Sequence, residues 1–536
     1  MLKKVIIIIA VFATTNLFPE LSELEELSPE QIFDGSFDDH YNDLKRQDCS
    51  PLPPAEEVLG LLVNLVDLPA ILKNNFYLHT NPINTRSPLD LPSLELPFFQ
   101  LPFVPCEGGF LTQVFFNQMR DCYFTKCSAQ IGSYLNLTDD NVLDLIDVSD
   151  FVNLDVPSIL PLFANIHLEE RRAGFMFSGY RNFEHSWLSA SIPFYWLEHN
   201  FFLSKQEAEK IQNQLLFLNA GAGTDQQGAT AFAYKHLVST KLGLGDLRLQ
   251  ATRTFNVRDF STITLGAEVT LPTAHALSGR RARLWLGDTL LFGGCYCKKC
   301  PPPPLNFQEL LCLYFGTPQQ QQEAKNQLIT FGTGVLDRLT ANVADRSLGQ
   351  EHTSIGPVFY YYGHLTEYFS IQANVSFDYF IPRPETRFFL FKKNPDSFNR
   401  DYTDPVLADQ NLAFLTQELV NFFYPTAIDI RVHPGIVTKL DLALWYKSPW
   451  LHGMIGYDFW YKTREYFSPC ATTALIFDLQ QGLKPAALQS KIFAKLFAYL
   501  PCICNNLYLG VSGDVTVNRY GIGRDFTISI DALMKF

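Results

Sequence analysis

A chain of 536 residues with 47% hydrophobic residues is long enough for several domains or for one large barrel. Its formal net charge of −13, with no stripe rich in Lys and Arg, excludes a nucleic-acid-binding protein. Beyond the first residues no window holds the roughly 18 consecutive apolar residues that a membrane-crossing helix needs.

The chain opens with MLKKVIIIIAVFA, two lysines ahead of an apolar run that ends on the small residue Ala13. Residues 1–13 read as a secretory signal, the alternative being a buried N-terminal strand. Export brings an oxidising compartment, and 11 cysteines suit it. They fall in three groups: Cys49, Cys106, Cys122 and Cys127; Cys295, Cys297, Cys300 and Cys312; Cys470, Cys502 and Cys504. Residues 14–123 are acidic at first and then Pro-rich. DCSPLPPAEEVLGLLVNLVDLPAILKNNF has room for one helix, and SPLDLPSLELPFFQLPFVPC is extended or looped. This stretch is assigned as a periplasmic or plug segment.

From residue 124 onward, runs of period two recur. The weaker ones are SAQIGSYLNL (128–137), AGFMFSGYRN (173–182), SWLSASIPFYWLE (186–198), DLRLQATRTF (246–255), SIGPVFYYYGH (354–364) and KIFAKLFAYL (491–500), the last apolar on both faces. The stronger ones separate cleanly. FSTITLGAEVTLP sets Ile263, Leu265 and Val269 against Thr264, Glu268 and Thr270, and EYFSIQANVSFDYFI sets Ile371, Val375 and Phe377 against Gln372, Asn374 and Asp378. KLDLALWYK and LHGMIGYDFWYK place Lys439, Asp441, Asp458 and Lys462 on one face of a hairpin, within diagonal reach for mutual neutralisation. LYLGVSGDVTVN and the closing GRDFTISIDALMKF complete a count of about twelve.

The joins alternate between long and short along the chain, as they do in antiparallel membrane barrels, whose two rims differ. SKQEAEKIQNQLLFLN (204–219), PQQQQEAKNQLITFGTGVLDRL (318–339) and DPVLADQNLAFLTQELVNFF (404–423) give the long joins helical segments. Alternation alone fits a soluble sandwich or barrel as well as a barrel in lipid. Three features favour lipid outside. The runs match the roughly 9–11 residues of a tilted crossing; Tyr379, Tyr446, Tyr461, Phe526 and Phe536 stand near strand ends; and a strand at the chain end needs closure to satisfy its backbone. The expected fold is all-β: a closed antiparallel transmembrane β-barrel of about twelve strands over residues 124–536, with helical segments in long extracellular loops.

In that barrel Arg248, Glu268, Asp378, Lys439, Asp441, Asp458, Lys462, Asp514, Asp531 and Lys535 face inward. They either line a water-filled passage or pair with one another. Arg253 falls on the lipid face, where its stem must reach the headgroups. Cys295, Cys297, Cys300 and Cys312 share one external loop; their compartment favours disulfides over zinc, and no metal site is assigned.

The last strand resembles the C-terminal assembly signal of Gram-negative outer-membrane β-barrel proteins, with the terminal aromatic Phe536 and apolar Phe526, Ile528 and Ile530 at alternate positions. The resemblance implies the outer membrane of a Gram-negative-type bacterium, with the lipid bilayer and the barrel-assembly machinery as partners. The stretch GLGDLRLQATRTFNVRDFSTITLGAEVTLPT is similar in style to hairpins of outer-membrane channels for fatty acids and aromatic hydrocarbons. That family often has fourteen strands and an N-terminal hatch; about twelve strands are counted here, and no hatch is identified. The function expected is passive passage of small solutes, hydrophobic ones if the family likeness extends that far, with no cofactor and no catalytic residue. The alternatives are a surface protein whose external loops bind a partner and, third, an outer-membrane lipid hydrolase. His185, His364 and His452 stand near strand ends, but no Ser/His/acid motif accompanies them.

Overall fold

The structure, a computed structural model, describes residues 82–96, 107–121, 167–202, 238–258, 261–276, 283–286, 289–292, 301–305, 316–343, 347–392, 417, 420–421, 423–469, 471–500 and 506–536. The expected signal (1–13), the strand at 128–137, the helix at 204–219, most of the helix at 404–423 and every cysteine lie outside the described residues.

Twelve strands close into an antiparallel barrel: β1 (Gly108–Arg120), β2 (His167–Asn182), β3 (Ser186–Phe202), β4 (Leu247–Arg258), β5 (Ser261–Leu271), β6 (Ser354–His364), β7 (Phe369–Phe380), β8 (Val437–Lys447), β9 (Leu451–Lys462), β10 (Ala487–Tyr499), β11 (Leu507–Tyr520) and β12 (Arg524–Lys535). Each pairs with its neighbours in chain order. The seam joins β1 to β12, from Gly109 opposite Lys535 to Arg120 opposite Arg524. The last strand is therefore hydrogen-bonded on both edges, which is why an alternating run can end the chain without fraying.

The start of the barrel differs from the expectation. It begins at Gly108, not at residue 124, so its first strand lies inside the stretch assigned to the N-terminal segment. GGFLTQVFFNQMR has no clean period of two, because its inward face carries Leu111, Phe115 and Met119 as well as Gln113 and Asn117. Those apolar side chains are covered from inside the lumen. A face that meets protein on one side and lipid on the other loses the alternation by which strands are recognised.

The turns after β2, β4, β6, β8 and β10 occupy one rim, with 183–185, 259–260, 365–368, 448–450 and 500–506 as the connections. The opposite rim carries the long joins and one tight turn, 521–523. There Gly521 adopts φ +65, and a Cβ on it would meet the Ala486 carbonyl oxygen at 2.3 Å. Strands run from 11 residues, the span of a tilted crossing, up to 17, so the wall rises above the hydrocarbon in places. It rises furthest at β2 and β3, where Val238–Leu244 extends the pairing of β3.

Outward-facing Val114, Phe175, Leu265, Ile371, Leu442, Ile455, Val511, Ile528 and Ile530 are all exposed, while their inward neighbours are buried and mostly polar. A soluble barrel has the reverse arrangement, with apolar side chains in the core and polar ones in water. A continuous apolar belt around a polar interior is the arrangement of a transmembrane β-barrel. Arg253 is exposed on this outer surface, level with Ser186 at the end of β3, and its guanidinium stands 5.6 Å from the Phe255 ring. Ile530 lies mid-strand at 65% exposure. Ile530→Arg is expected to destabilise the barrel in bilayers by about 2–4 kcal/mol, read from the urea midpoint; in a soluble protein a substitution so exposed would be nearly neutral.

The long-loop rim carries a separate layer. Thr426–His433 pairs with Arg383–Phe389 on one edge and with Tyr466–Ser468 on the other, around buried Phe389, Ile430 and Val432. Helix α1 (Pro318–Val343), expected over 318–339, starts with Pro at its first position and a box in which the Thr317 N–H donates to the Gln320 side chain at 2.9 Å. Its Arg338 guanidinium lies between the rings of Phe388 and Tyr424, at 5.2 and 4.8 Å.

Candidate functional site: the lumen and its plug

The lumen is occupied by the chain's own residues 82–96. Pro82, Pro88 and Pro92 prevent a long helix or a paired strand here. What forms is one 3-10 turn, Pro88–Asp90, capped by Ser87. The segment enters at the long-loop mouth, where the Asn84 side-chain amide donates to the Pro485 carbonyl at 2.8 Å. It descends until Leu96 packs against a buried apolar cluster on the short-turn side that includes Tyr180, Trp187, Trp445, Phe493 and Phe497. Glu107 then meets Lys535 at 2.8 Å at the short-turn rim, just before β1 begins.

Buried charges hold the segment to the wall. The Arg86 guanidinium forks onto Asp458 at 2.6 and 2.5 Å, with both side chains fully buried. Asp90 accepts from Arg248 at 2.5 Å, and Glu95 pairs with Lys439. The Ser93 hydroxyl donates to Asp514, while its carbonyl accepts from Gln113 at 3.1 Å. Lys495 donates to the Glu95 carbonyl at 2.7 Å. Leu89, Leu91 and Leu94 are also buried, against Phe115, Met176, Tyr195 and Leu197. Acidic, basic and apolar anchors are therefore all matched by their complements on the wall.

The ten charged residues expected to face inward all lie on the inner side. Arg248, Lys439, Asp458 and Asp514 contact the plug. Glu268 accepts from Gln250 at 2.7 Å, Asp378 from Ser354 at 3.2 Å, Asp441 from Asn374 at 3.1 Å and Asp531 from Gln113 at 3.0 Å. Lys462 and Lys535 stand at the two rims, beside Glu465 at 3.6 Å and Glu107 at 2.8 Å. The expected neutralisation within the β8–β9 hairpin is not what forms. Asp441 sits directly opposite Asp458, two like charges, and the partners come from elsewhere: Arg86 of the plug for Asp458, Glu95 of the plug for Lys439 and Glu465 of the loop for Lys462. Phe526, Ile528, Ile530 and Phe536 are exposed on the outer surface.

Sequence reasoning missed the plug anchors Arg86, Asp90, Ser93 and Glu95, since a Pro-rich run has no period to betray a buried face. It also missed Lys491, held between Asp514 and Asp525 at 2.7 Å each. The i, i+4 spacing of Lys491 and Lys495 put both on one face of a strand. Phe493 and Phe497 on the same face masked that signal.

Two zones of free space follow. At the long-loop mouth a polar vestibule of about 330 Å³ is floored by Asn84–Pro88 and walled by Glu170, Arg172, Arg383, Glu385, Arg387, Lys462, Glu465 and Lys484, among others. Below it, spaces of about 40 and 20 Å³ beside Glu95 and Leu96 are large enough only for water. Neither space is wide enough for a solute to pass beside the plug there.

Outside the membrane-spanning strands, Arg387, Lys462 and Lys484 surround Glu465 at 3.3, 3.6 and 3.6 Å. Although burial opposes its charge, Arg387 and the two lysines hold the carboxyl down at about 2, against an ordinary 4.5. A depressed carboxylate stabilises the fold above the unfolded value and ceases to do so as the pH falls through the folded one. Acidification from about 4.5 to about 2 is therefore expected to loosen the cap around 383–389 and 463–468 while the strands persist. Hydrogen exchange should rise in those peptides ahead of the barrel.

No protein-family model and no curated protein matches the chain. Among solved structures it is similar to an outer-membrane channel from Pseudomonas putida F1, at 9% identity and a TM-score of 0.40, over 82% of this chain and 100% of that one. It is also similar to the toluene transporter TbuX of Ralstonia pickettii, at 9% identity and 0.31, over 81% and 90%. The translocator domain of the autotransporter NalP of Neisseria meningitidis aligns at 4% identity and 0.29, over 81% and 89%. The functional reading rests on the chain's own residues.

Proposed function

We propose that this protein is an outer-membrane barrel channel for passive entry of small solutes, held closed by its own segment 82–96. The observation that carries the reading is the combination of an apolar belt outside, a charged interior and, at the centre of that interior, a chain segment that is not part of the sheet. A barrel whose interior served only stability has no need of buried charge, because buried ion pairs rarely outperform apolar packing. Here Arg248, Lys439, Asp458 and Asp514 would line the passage once the segment withdraws, with Glu268, Asp378, Asp441 and Asp531 beside them. Lys462 and Lys535 would stand at its two ends. No cofactor and no catalytic step is assigned.

The polar mouth and the buried apolar cluster at the opposite end favour solutes with both polar and apolar parts over pure hydrocarbons. Liposome swelling tests the reading. Vesicles carrying the protein with a weakened plug are expected to admit small solutes with a size limit, and impermeability of both the native and the weakened forms would overturn it. A second reading, surface binding, draws on the cap, where Tyr466 and Leu475 are exposed by 57% and 75%. Loop-dependent partner binding by an impermeable barrel would favour it.

A further inference from the structure

The vestibule has a charge of its own. Apart from Arg86, whose charge is met by Asp458 below, the lining includes five cations, Arg172, Arg383, Arg387, Lys462 and Lys484, and four carboxylates, Glu170, Glu351, Glu385 and Glu465. The cations are in excess by one, in a chain whose net charge is −13. The excess gathers on one wall. There Arg387 serves both Glu385 at 2.9 Å and Glu465 at 3.3 Å, Lys462 and Lys484 add to the same Glu465, and Arg383 bonds the Glu351 carbonyl.

These cations are not a scatter of surface lysines. Arg387 and Arg172 are 4% exposed, and the Lys462 and Lys484 side chains only 16% and 18%. The wall is built and partly desolvated, which strengthens its field. The two resident carboxylates report that field: Glu385 and Glu465 are both held well below the ordinary carboxylate range by the arginine and lysines around them. An incoming negative group meets the same potential. At about 330 Å³ the space is at the lower end of small-molecule sites.

We infer that the vestibule is a binding site for a small anion carrying a carboxylate or phosphate group, seated against Arg383, Lys462 and Lys484 above the plug. This rests on the channel reading only in treating the site as the point of entry; the site itself stands whether or not the barrel conducts.

Isothermal titration of the full-length protein in detergent tests it, with citrate and inorganic phosphate as separate probes and glycerol and putrescine as neutral and cationic controls. Saturable, salt-sensitive binding of citrate, phosphate or both is expected, with neither control binding, and the probe that binds more tightly identifies the group preferred. The double variant Lys462→Gln/Lys484→Gln is expected to weaken binding by roughly tenfold or more, about 1.4 kcal/mol. The surface variant Arg383→Gln should weaken it less, and Arg120→Gln, beyond the vestibule, not at all. Arg383→Gln keeps the test decisive if the double variant fails to fold. Equal binding of glycerol, or anion binding unchanged by Lys462→Gln/Lys484→Gln and Arg383→Gln, would sink the proposal. Saturable anion binding by a barrel that stays impermeable in liposomes even with its plug weakened would overturn the channel reading alone.

Discussion

Deleting residues 82–96 from the full-length protein is expected to turn a silent barrel in planar bilayers into one that conducts in discrete steps. The segment occupies the lumen, and the spaces beside its Glu95 and Leu96 are water-sized. Its removal frees Asp458, Arg248, Lys439 and Asp514 to be hydrated. Point variants should approach the same end by degrees. Removing one partner of a buried ion pair costs about 3–5 kcal/mol, and shifting a two-state equilibrium from 1:99 to 99:1 takes about 5.5 kcal/mol. Arg86→Ala alone should therefore give brief openings. Arg86→Ala/Asp90→Ala should hold the channel open for longer, because the two anchors reach different strands, Asp458 on β9 and Arg248 on β4. If the deletion variant inserts as a heat-modifiable barrel and still passes no current, the segment is not a gate and the lumen is closed by other means.

Lys491→Met is expected to give the largest loss of stability of any single substitution in the wall. Its ammonium bridges Asp514 on β11 and Asp525 on β12, and all three side chains are essentially inaccessible to solvent. Replacing it strands two carboxylates in each other's company, for which about 3–5 kcal/mol is the expected cost. The barrel should then fail to fold or lose its heat-modifiable migration. The triple variant Lys491→Met/Asp514→Asn/Asp525→Asn removes the stranded charges and should recover most of the loss. A wild-type urea midpoint for Lys491→Met alone would show that water reaches the site and that the bridge contributes little.

The anchors of the plug and the lysine bridge differ in what their loss does, and the difference follows from where they attach. Arg86, Asp90 and Glu95 tie the wall to a segment that is not part of the sheet, so on the channel reading their loss is expected to shift an equilibrium between closed and open. Lys491 ties three neighbouring strands of the wall to one another, so losing it weakens the barrel itself.

Much of the barrel could be read in the primary structure because lipid outside and polar groups inside impose a period of two on each strand. Ile371 and Gln372, or Ile528 and Ser529, differ in exposure as their side chains differ in hydration. The same logic assigned ten charges to the inner face, since parity is fixed once one face is known to be apolar. It failed at β1, where Leu111 and Phe115 face the lumen but meet Pro-segment leucines rather than water. It was weakest at β10, where Phe493 and Phe497 share the inner face with Lys491 and Lys495.

What the chain determined unaided was the repeating local rule: alternation, the long and short joins, and a side for the charges on the cleanly alternating strands. Who partners whom was decided only in three dimensions. Asp458 lies 372 positions from Arg86, and Asp514 lies 421 from Ser93, so no local pattern could record those pairs. The closed lumen belongs to the same category. A segment without periodicity is held there by contacts that exist only after twelve strands have closed around it.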